Sequence, residues 1–367
     1  MANEKKKKKK DTVSNLSGMM VASIVLAVIF YGFVAVATIR GGSNDPSDGK
    51  SSEVTTSEAA SSTGSSSGQS GSEEADEPTT EEVTTTEEPT TEEVTIPATV
   101  APNEVTVETK GASEERAIQG LAMARLTELE NNTDNTIRTY ESAFPLLLDT
   151  DSRSASANEI LKIFQEAQAD VTVYCAAPGE KKVSFIFNAG GEPGCTADVL
   201  EILKTYGIHS TFFISHYYEV HSSDLVKQML AEGHELGNYS YSSPAKGIIE
   251  GRTLSDIMTD ALNQQSYVRT VFQVELQKYC FPSYSYSVSA GKMLTEVGYQ
   301  VCFPSVCIPD ADADRAFDKA SLLSDLTAAL HPGAVYAFNL QNGAAAMVLP
   351  ELIGYVTQQG YTITQLD

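Results

Sequence analysis

Beyond residue 144, short apolar runs of strand length alternate with segments whose apolar positions recur at helical spacing. The apolar runs predict strands at 144–149, 171–176, 182–188 and 210–215, and the periodic segments predict helices at 157–168, 196–207 and 224–233. We expect Thr196 to cap the second of these helices and Gly207 to end it. Strands that alternate with helices in this way predict an α/β fold with mainly parallel strands.

An amphipathic pattern also precedes these elements. The pattern of residues 113–129 predicts one helix, with Ser113 as its N-cap. We therefore divide the folded part into a helical extension, 111–143, and a main domain, 144–367.

The N-terminal 39 residues have a different pattern. A tail, 1–18, contains six consecutive lysines, and residues 19–39 contain no charge. Twenty-one uncharged, mostly apolar residues can cross a hydrocarbon core of ~30 Å. The lysines predict a cytoplasmic N-terminus, so the chain is expected to be a single-pass cell-membrane protein with an extracellular C-terminal domain. The alternative is a cleaved signal peptide with Ala35-Val36-Ala37 as the cleavage site, which also places the rest outside the cytoplasm.

Residues 40–110 are rich in Ser, Thr, Glu and Pro and carry the block TTEE three times. Between residues 41 and 109 there are 16 acidic residues and one lysine, so most of the net charge of −24 lies here. Such a segment cannot bury a core, and we expect a disordered, extended linker. Nucleic acid is not an expected partner, because its binding requires a basic surface.

Five cysteines, at positions 175, 195, 280, 302 and 307, follow the predicted membrane span. Disulfides are allowed outside the cytoplasm, but an odd number leaves at least one thiol unpaired within the chain. The spacing does not match a zinc site.

The segment Glu232–Pro244, EGHELGNYSYSSP, resembles the second motif of the polysaccharide deacetylases, the NodB-homology or carbohydrate esterase 4 family. That motif runs close to G-H-E-x-G-N-H-[ST]-x-x-H-P, and its last two histidines bind zinc. Tyr239 and Ser243 stand at those two positions here, while the glycines, Asn238 and Pro244 are kept. His234 falls on a family position that is not a ligand, so we interpret it as structural.

Three further segments resemble the same family over about residues 181–367. The opening motif T-F-D-D-G-P corresponds to FIFNAGG, which puts Asn188 at the general-base position and Ala189 at a zinc-ligand position. Phe281 stands where the third motif has an arginine, and Asn339 stands where the last motif has the catalytic histidine. The Thr-Phe-Phe run at 211–213 matches the scaffold.

This resemblance implies a distorted (β/α)7-type barrel that carries no intact catalytic residue. Deacetylation in the family needs a metal held by three protein ligands, a carboxylate base and an imidazole acid. Asn cannot take up a proton at neutral pH, and Ala cannot bind a metal. We therefore predict a non-catalytic protein that needs no cofactor.

A rebuilt metal site is the alternative. His216, Glu219 and His221 follow the strand at 210–215, at the end of the barrel that usually carries the site. If zinc were bound at these residues, the chain would remain an active deacetylase or amidohydrolase.

Six tyrosines lie in segments that the family uses to line its groove, namely Tyr217, Tyr218, Tyr239, Tyr241, Tyr284 and Tyr286. Their rings suit glycan stacking, although ordinary loop tyrosines would give the same pattern. The sequence thus predicts a protein that binds cell-wall glycan or an extracellular protein partner, or else a regulatory ectodomain without glycan binding.

Overall fold

The computed structural model describes residues 96–109, 116–140, 150–242, 249–308 and 318–367. The predicted tail, the apolar span at 19–39, most of the linker and the predicted strand at 144–149 lie outside these residues. Within the part that is described, no helix combines the length and the apolar character needed to cross a membrane.

Nine helices are described in these ranges. They are α1 (Met123–Asn132), α2 (Thr150–Glu166), α3 (Thr196–Tyr206), α4 (His216–His221), α5 (Ser223–Ala231), α6 (Leu254–Phe272), α7 (Val288–Val297), α8 (Lys319–Ala328) and α9 (Ala344–Gln358). Two single-turn 3₁₀ helices occupy Pro102–Glu104 and Pro282–Tyr284.

The same ranges contain twelve short strands. They are β1 (Val107–Glu108), β2 (Arg138–Thr139), β3 (Val171–Thr172), β4 (Lys182–Ala189), β5 (Thr211–Ile214), β6 (Glu235–Asn238), β7 (Lys278–Tyr279), β8 (Ser285–Tyr286), β9 (Gln300–Cys302), β10 (Val306–Cys307), β11 (Ala334–Asn339) and β12 (Thr362–Thr364).

Ten of the strands form one sheet in which every pairing is parallel. From β4 the order runs through β5, β6, β7 and β9 on one side, and through β11 and β10 on the other. β9 and β10 lie on opposite sides of β4 in this order, yet only three residues separate the end of β9 from the start of β10. The two sides of the sheet therefore curve towards each other. This arrangement confirms the predicted α/β fold with a parallel sheet curled into a distorted barrel.

The interior of the barrel is packed with aromatic rings. Phe187 on β4 stacks on Phe212 of β5 at 4.9 Å and on Phe338 of β11 at 5.6 Å. All three side chains are at most 1% exposed. Offset ring packing of this kind adds ~0.5–1.5 kcal/mol per pair to the effect of burial. The Phe-Phe run at 212–213 is therefore part of the core that holds the strands in register.

A buried ion pair lies at the amino ends of the central strands. Lys278 is 2% exposed, and its Nζ lies 2.9 and 3.0 Å from the two carboxylate oxygens of Glu235. Thr211 donates to the same carboxylate. A buried charge is tolerated only when it is paired and hydrogen-bonded, so this end of the barrel has little freedom to rearrange.

The structure differs from two of the predicted boundaries near the N-terminus. Residues 96–109, assigned to the disordered linker, are ordered, and β1 within them pairs with β12. The helix predicted at 113–129 begins only at Met123, because the preceding residues bond in extended form to the domain. Arg116 N–H donates to the Gln277 side chain, and Gln119 N–H donates to the carbonyl of Val297.

Two further predictions need correction within the barrel. The strand predicted at 171–176 is limited to β3, because the chain turns after Thr172 and Cys175 N–H donates to Gly333. Thr196 is the first residue of α3 and makes no N-cap bond, whereas Gly207 ends α3 in the left-handed conformation as predicted.

Candidate functional site

The predicted catalytic positions meet at the carboxyl edge of the sheet. Asn188 and Ala189 end β4, Asn339 ends β11, and Asn188 is paired in register with Asn339. Tyr239 directly follows β6, the second strand from β4 on the other side. Parallel strands bring their carboxyl ends to one edge, which is why residues so far apart in sequence come together. Ser243 lies outside the described residues.

Side chains fill the space above these strand ends. Asn188 Nδ2 donates to the phenol oxygen of Tyr284 at 2.7 Å, and the thiol of Cys307 approaches the same oxygen at 3.7 Å. Tyr239 interacts electrostatically with Tyr284 and with the thiols of Cys280 and Cys307. We call these five residues, Asn188, Tyr239, Cys280, Tyr284 and Cys307, the filled pocket. Each is at most 6% exposed, so these five side chains are closed to solvent.

The loop that corresponds to the family's third motif turns Tyr284 into this pocket. Ser283 and Tyr284 both have φ of 52°. Non-glycine residues rarely adopt this left-handed conformation, and each such residue costs ~1–3 kcal/mol that surrounding contacts must offset. Phe281 packs edge-on against Tyr279 and beside Phe303, within the core. It therefore cannot orient a catalytic base as an arginine would.

The residues of the filled pocket do not fit a catalytic metal. Burial raises the pKa of Tyr239 and of Tyr284 above the usual phenol range, so both stay protonated. Burial also raises the pKa of Cys307 to about 12 and that of Cys280 well above the usual thiol value. A thiol must lose its proton to bind zinc, and Ala189 offers no donor atom. Among the described residues, no three His, Cys, Asp or Glu side chains are placed to hold a metal ion.

Asn339 does not point at a reacting group. Its Oδ1 accepts the backbone N–H of Gln341 at 2.9 Å and so caps its own loop. An amide in this role orders the turn after β11 but cannot supply the proton that an imidazolium would. The predicted acid position is thus structural in this chain.

The three residues of the predicted alternative metal site lie on α4 but diverge. His221 Nδ1 lies 2.7 Å from the Tyr217 carbonyl, and its ring stacks on Tyr217 at 4.1 Å. His216 instead faces Glu219, with 3.7 Å between Nδ1 and Oε2. The structure therefore brings together the His216 and Glu219 pair and leaves His221 outside it.

Beneath His216 lies a group of buried polar atoms without hydrogen-bond partners. Glu219 and Gln264 of α6 are fully buried, and Gln264 Nε2 donates to Glu219 Oε1 at 2.6 Å. The atoms His216 Nδ1, Glu219 Oε2 and Gln264 Oε1 have no partner. We call His216, Glu219 and Gln264 the acceptor cluster. Burial raises the pKa of Glu219 to about 9, only partly offset by the bond from Gln264, so this carboxyl is protonated at neutral pH.

Aromatic rings surround the solvent side of this cluster. Tyr241 stacks on His216 with ring centroids 4.2 Å apart, and Tyr267 of α6 meets the same ring edge-on at 4.4 Å. Burial, and secondarily His221, lowers the pKa of His216, so the imidazole is neutral at pH 7. His216 retains 24% exposure of its side chain and Tyr241 is 37% exposed, so the rings form a surface.

The position of Tyr241 is fixed by Asp260 on α6. This carboxylate accepts the backbone N–H groups of Tyr241 and Ser242 and the hydroxyl of Ser240, and it pairs with Arg252 at 3.2 Å. Ser240 has φ of 102°, a strained value for a non-glycine residue. The network holds the strained turn in place and directs Tyr241 onto His216.

Four of the six tyrosines predicted to line a groove do not face solvent. Tyr218, Tyr239, Tyr284 and Tyr286 are at most 6% exposed, and the Tyr218 phenol donates to Thr196 at 2.9 Å. They take core positions because a tyrosine can bury its ring wherever its hydroxyl finds a partner. Tyr217 and Tyr241 retain exposure, at the two ends of α4.

Sequence reasoning did not single out Gln264, Asp260 or Tyr267 on α6. Their spacing of three or four residues places them on one side of that helix, a signal that the sequence contains. Nothing in the sequence indicates which side of α6 faces α4. The thiols of Cys280 and Cys307 were considered only for disulfides and zinc, whereas both are free and buried in the filled pocket.

Comparison with known proteins relates this architecture to one family. The family model described as polysaccharide deacetylase matches residues 175–302. The peptidoglycan-N-acetylmuramic acid deacetylase PdaA of Bacillus subtilis is 29% identical over 195 residues, which cover 53% of this chain and 73% of that protein. An uncharacterized 30.6 kDa protein of Geobacillus stearothermophilus is 28% identical over 197 residues, which cover 53% of this chain and 72% of that protein.

A solved structure agrees with the sequence relatives. The structure of Bacillus subtilis PdaA, a family 4 carbohydrate esterase, superposes with a TM-score of 0.52 and 26% identity, over 57% of this chain and 87% of that one. The chain is therefore similar to the polysaccharide deacetylases, in sequence over residues 175–302 and in fold.

Proposed function

We propose that this chain is a non-catalytic member of the polysaccharide deacetylase family that binds cell-wall glycan. The observation that carries the proposal is the bond from Asn188 to Tyr284 inside the filled pocket. It supports a loss of chemistry, because a phenol occupies the space above the strand ends and, among the residues that the structure describes, no carboxylate or metal ligand accompanies it. A base, an acid and a metal-bound water are all required for amide hydrolysis in this family.

The setting of this function is part of the same proposal. The lysine-rich tail and the uncharged span at 19–39 support a single-pass membrane anchor with a cytoplasmic N-terminus. The acidic linker supports an extended connection to an extracellular domain. PdaA is named for an activity on peptidoglycan, which supports cell-wall glycan as the ligand of this relative.

Acetate release tests the absence of catalysis. The purified full chain is incubated with N-acetylated peptidoglycan and with N-acetylated chito-oligosaccharides, with zinc added and with chelator added. We expect no acetate above the blank in either condition. Release that depends on zinc would support the alternative of an active deacetylase on a rebuilt site at His216 and Glu219.

Retention on insoluble wall tests the binding role. The full chain is mixed with purified peptidoglycan sacculi and sedimented, with an unrelated acidic membrane protein as the control. We expect the chain to sediment with the sacculi. If it stays in solution, the remaining interpretation is an ectodomain that binds an extracellular protein partner or has a regulatory role without glycan binding.

A further inference from the structure

The acceptor cluster has a composition that points to one kind of ligand. Its three unpartnered atoms are a carboxyl oxygen of Glu219, an amide oxygen of Gln264 and the Nδ1 of a neutral His216. An amide oxygen is only an acceptor, and Nδ1 is an acceptor when the imidazole proton is on Nε2. A carboxyl oxygen becomes a full acceptor once its proton leaves. While Glu219 is protonated, its O–H is a donor and the cluster holds one donor and two acceptors. Once Glu219 is ionised, all three atoms are acceptors, and buried acceptors without partners call for a group rich in donors.

A primary ammonium matches this demand. It carries three N–H donors and no acceptor. Its positive charge would compensate an ionised Glu219, and the faces of neighbouring aromatic rings attract cations. Tyr241 lies face to face with the His216 ring and Tyr267 meets that ring edge-on, so both rings border the cluster. The surroundings of the cluster therefore favour a cation on charge as well as on hydrogen bonding.

The approach to the cluster is from the exposed surface. Glu219 is fully buried, whereas the side chain of His216 is 24% exposed and its stacking partner Tyr241 is 37% exposed. Entry of a ligand thus passes the edge of the His216 ring. Asp260 accepts hydrogen bonds from Ser240, Tyr241 and Ser242. These bonds fix the loop that carries Tyr241, so this side of the entry path is ordered in the free protein.

We propose that the acceptor cluster binds the primary ammonium of a de-N-acetylated amino sugar. The inference rests on the proposed glycan-binding function and deepens it, because it names the state of the glycan that is recognised. The protein would then bind glycan that an active deacetylase elsewhere in the wall has already deacetylated. An N-acetyl group cannot replace the ammonium, since an amide carries one N–H and no charge.

Binding should displace the proton of Glu219. In the free protein the carboxyl is neutral at pH 7, and the bound ammonium favours its ionised form. The other titratable groups that face this pair are Tyr267 from α6, Tyr241 from the loop after β6 and His221 from α4. Burial raises the pKa of Tyr267 above its usual value, and Glu219 is the group that holds a proton next to the bound ammonium, so the released proton comes from Glu219.

Calorimetric titration of the full chain in detergent tests the proposal. The probes are fully de-N-acetylated chito-oligosaccharide, its N-acetylated counterpart, and cadaverine as an amine without sugar. We expect the de-N-acetylated oligomer to bind at least ~10-fold more tightly than the other two, as expected for charge-assisted contacts within a saccharide site. Repeating the titration in buffers of different ionisation enthalpy should show protons released on binding.

Two variants connect this binding to the cluster. Glu219→Gln keeps the shape of the protonated side chain and removes the charge, so affinity for the de-N-acetylated oligomer should fall at least ~10-fold and proton release should vanish. The matched control is Glu192→Gln, which alters the carboxylate that bonds Tyr217 at the other end of α4 and should leave affinity unchanged. Tyr267→Leu removes one ring without touching Glu219 and should weaken binding several-fold.

Each contrary result has a distinct meaning. Equal affinity for acetylated and de-N-acetylated oligomers would overturn the ammonium site and leave glycan binding intact. Equal affinity for cadaverine would overturn the requirement for a sugar. Unchanged affinity in Glu219→Gln, or a loss in Glu192→Gln, would place binding outside the cluster. Sedimentation with sacculi, measured separately, reports whether the proposed function itself fails.

Discussion

The filled pocket and the acceptor cluster lie at the same edge of the barrel, but they differ in how many of their buried polar atoms have a hydrogen-bond partner. In the filled pocket, the Asn188 amide and the Cys307 thiol both approach the Tyr284 phenol, and the rings occupy the space. In the acceptor cluster, Glu219 and Gln264 are equally buried but each keeps an oxygen without a partner. The filled pocket keeps one unpaired acceptor, Asn188 Oδ1, inside a packed group of rings, whereas the acceptor cluster keeps three polar atoms without a partner.

The largest loss of stability is expected when a ring is removed from the filled pocket. Tyr284→Ala removes a ring that is 3% exposed and leaves a cavity beside Asn188. Large-to-small changes of a buried aromatic cost ~3–5 kcal/mol, so we expect a loss in that range. Urea unfolding followed by circular dichroism measures it. A loss below ~1 kcal/mol would show that the ring contributes little to the core.

The second prediction concerns the pH dependence that Glu219 imposes. Its pKa is 4.5 in the unfolded reference and about 9 in the fold, so between these values the folded protein holds one more proton. The stabilisation of the fold by this extra proton is fully present below pH 4.5 and is lost as the pH rises towards 9. From pH 5 to 8 the loss is about 4 kcal/mol, at ~1.4 kcal/mol per unit.

Glu219→Gln should remove the part of the pH dependence of the unfolding free energy that Glu219 causes. We expect the unfolding free energy of the variant to fall less steeply between pH 5 and 8 than that of the wild type, so the variant becomes the more stable of the two towards pH 8. Unfolding curves at four pH values measure this difference. Parallel curves for the two proteins would mean that Glu219 is already ionised in the fold.

A smaller effect is expected when only the hydroxyl of Tyr284 is removed. Tyr284→Phe keeps the ring but leaves the buried Asn188 amide without its partner, and its Oδ1 is already unpartnered. An orphaned buried amide costs ~1–3 kcal/mol. Comparison with Tyr284→Ala by the same unfolding assay separates the packing of the ring from its hydrogen bond.

The smallest effect on stability should come from the acceptor-cluster surface. Tyr241 is 37% exposed, so Tyr241→Ala should cost ~1 kcal/mol or less in unfolding free energy. The same variant should reduce binding of a de-N-acetylated oligosaccharide. A stability loss as large as that of Tyr284→Ala would make Tyr241 a core residue and erase the contrast between the two regions.

The sequence predicted the scaffold better than the site. Alternating strands and helices and the left-handed stop at Gly207 follow from local pattern, and they were confirmed. The structure pairs the altered positions Asn188 and Asn339 in register, which the motifs alone did not predict. The burial of Tyr218 and Tyr286 could not be predicted, because a tyrosine suits both rim and core and tertiary packing decides between them.

Segments with weak local signals were the other source of error. Residues 96–109 resemble the acidic linker in composition, yet backbone pairing with β12 orders them without requiring apolar side chains. Residues 116–122 have helical periodicity, but long-range bonds to Gln277 and Val297 hold them extended. In both cases a partner distant in sequence overrides the local preference.

The inward turn of the loop at 281–285 bears on whether the ancestral chemistry could return during evolution. Substituting histidine and aspartate at the ligand positions would supply donor atoms, but the Tyr284 ring would still occupy the volume that a metal and its water need. The loop would have to flip outward first, and this would expose the Asn188 amide and forfeit the ring's packing. Each single substitution towards a metal site would therefore pass through a less stable protein.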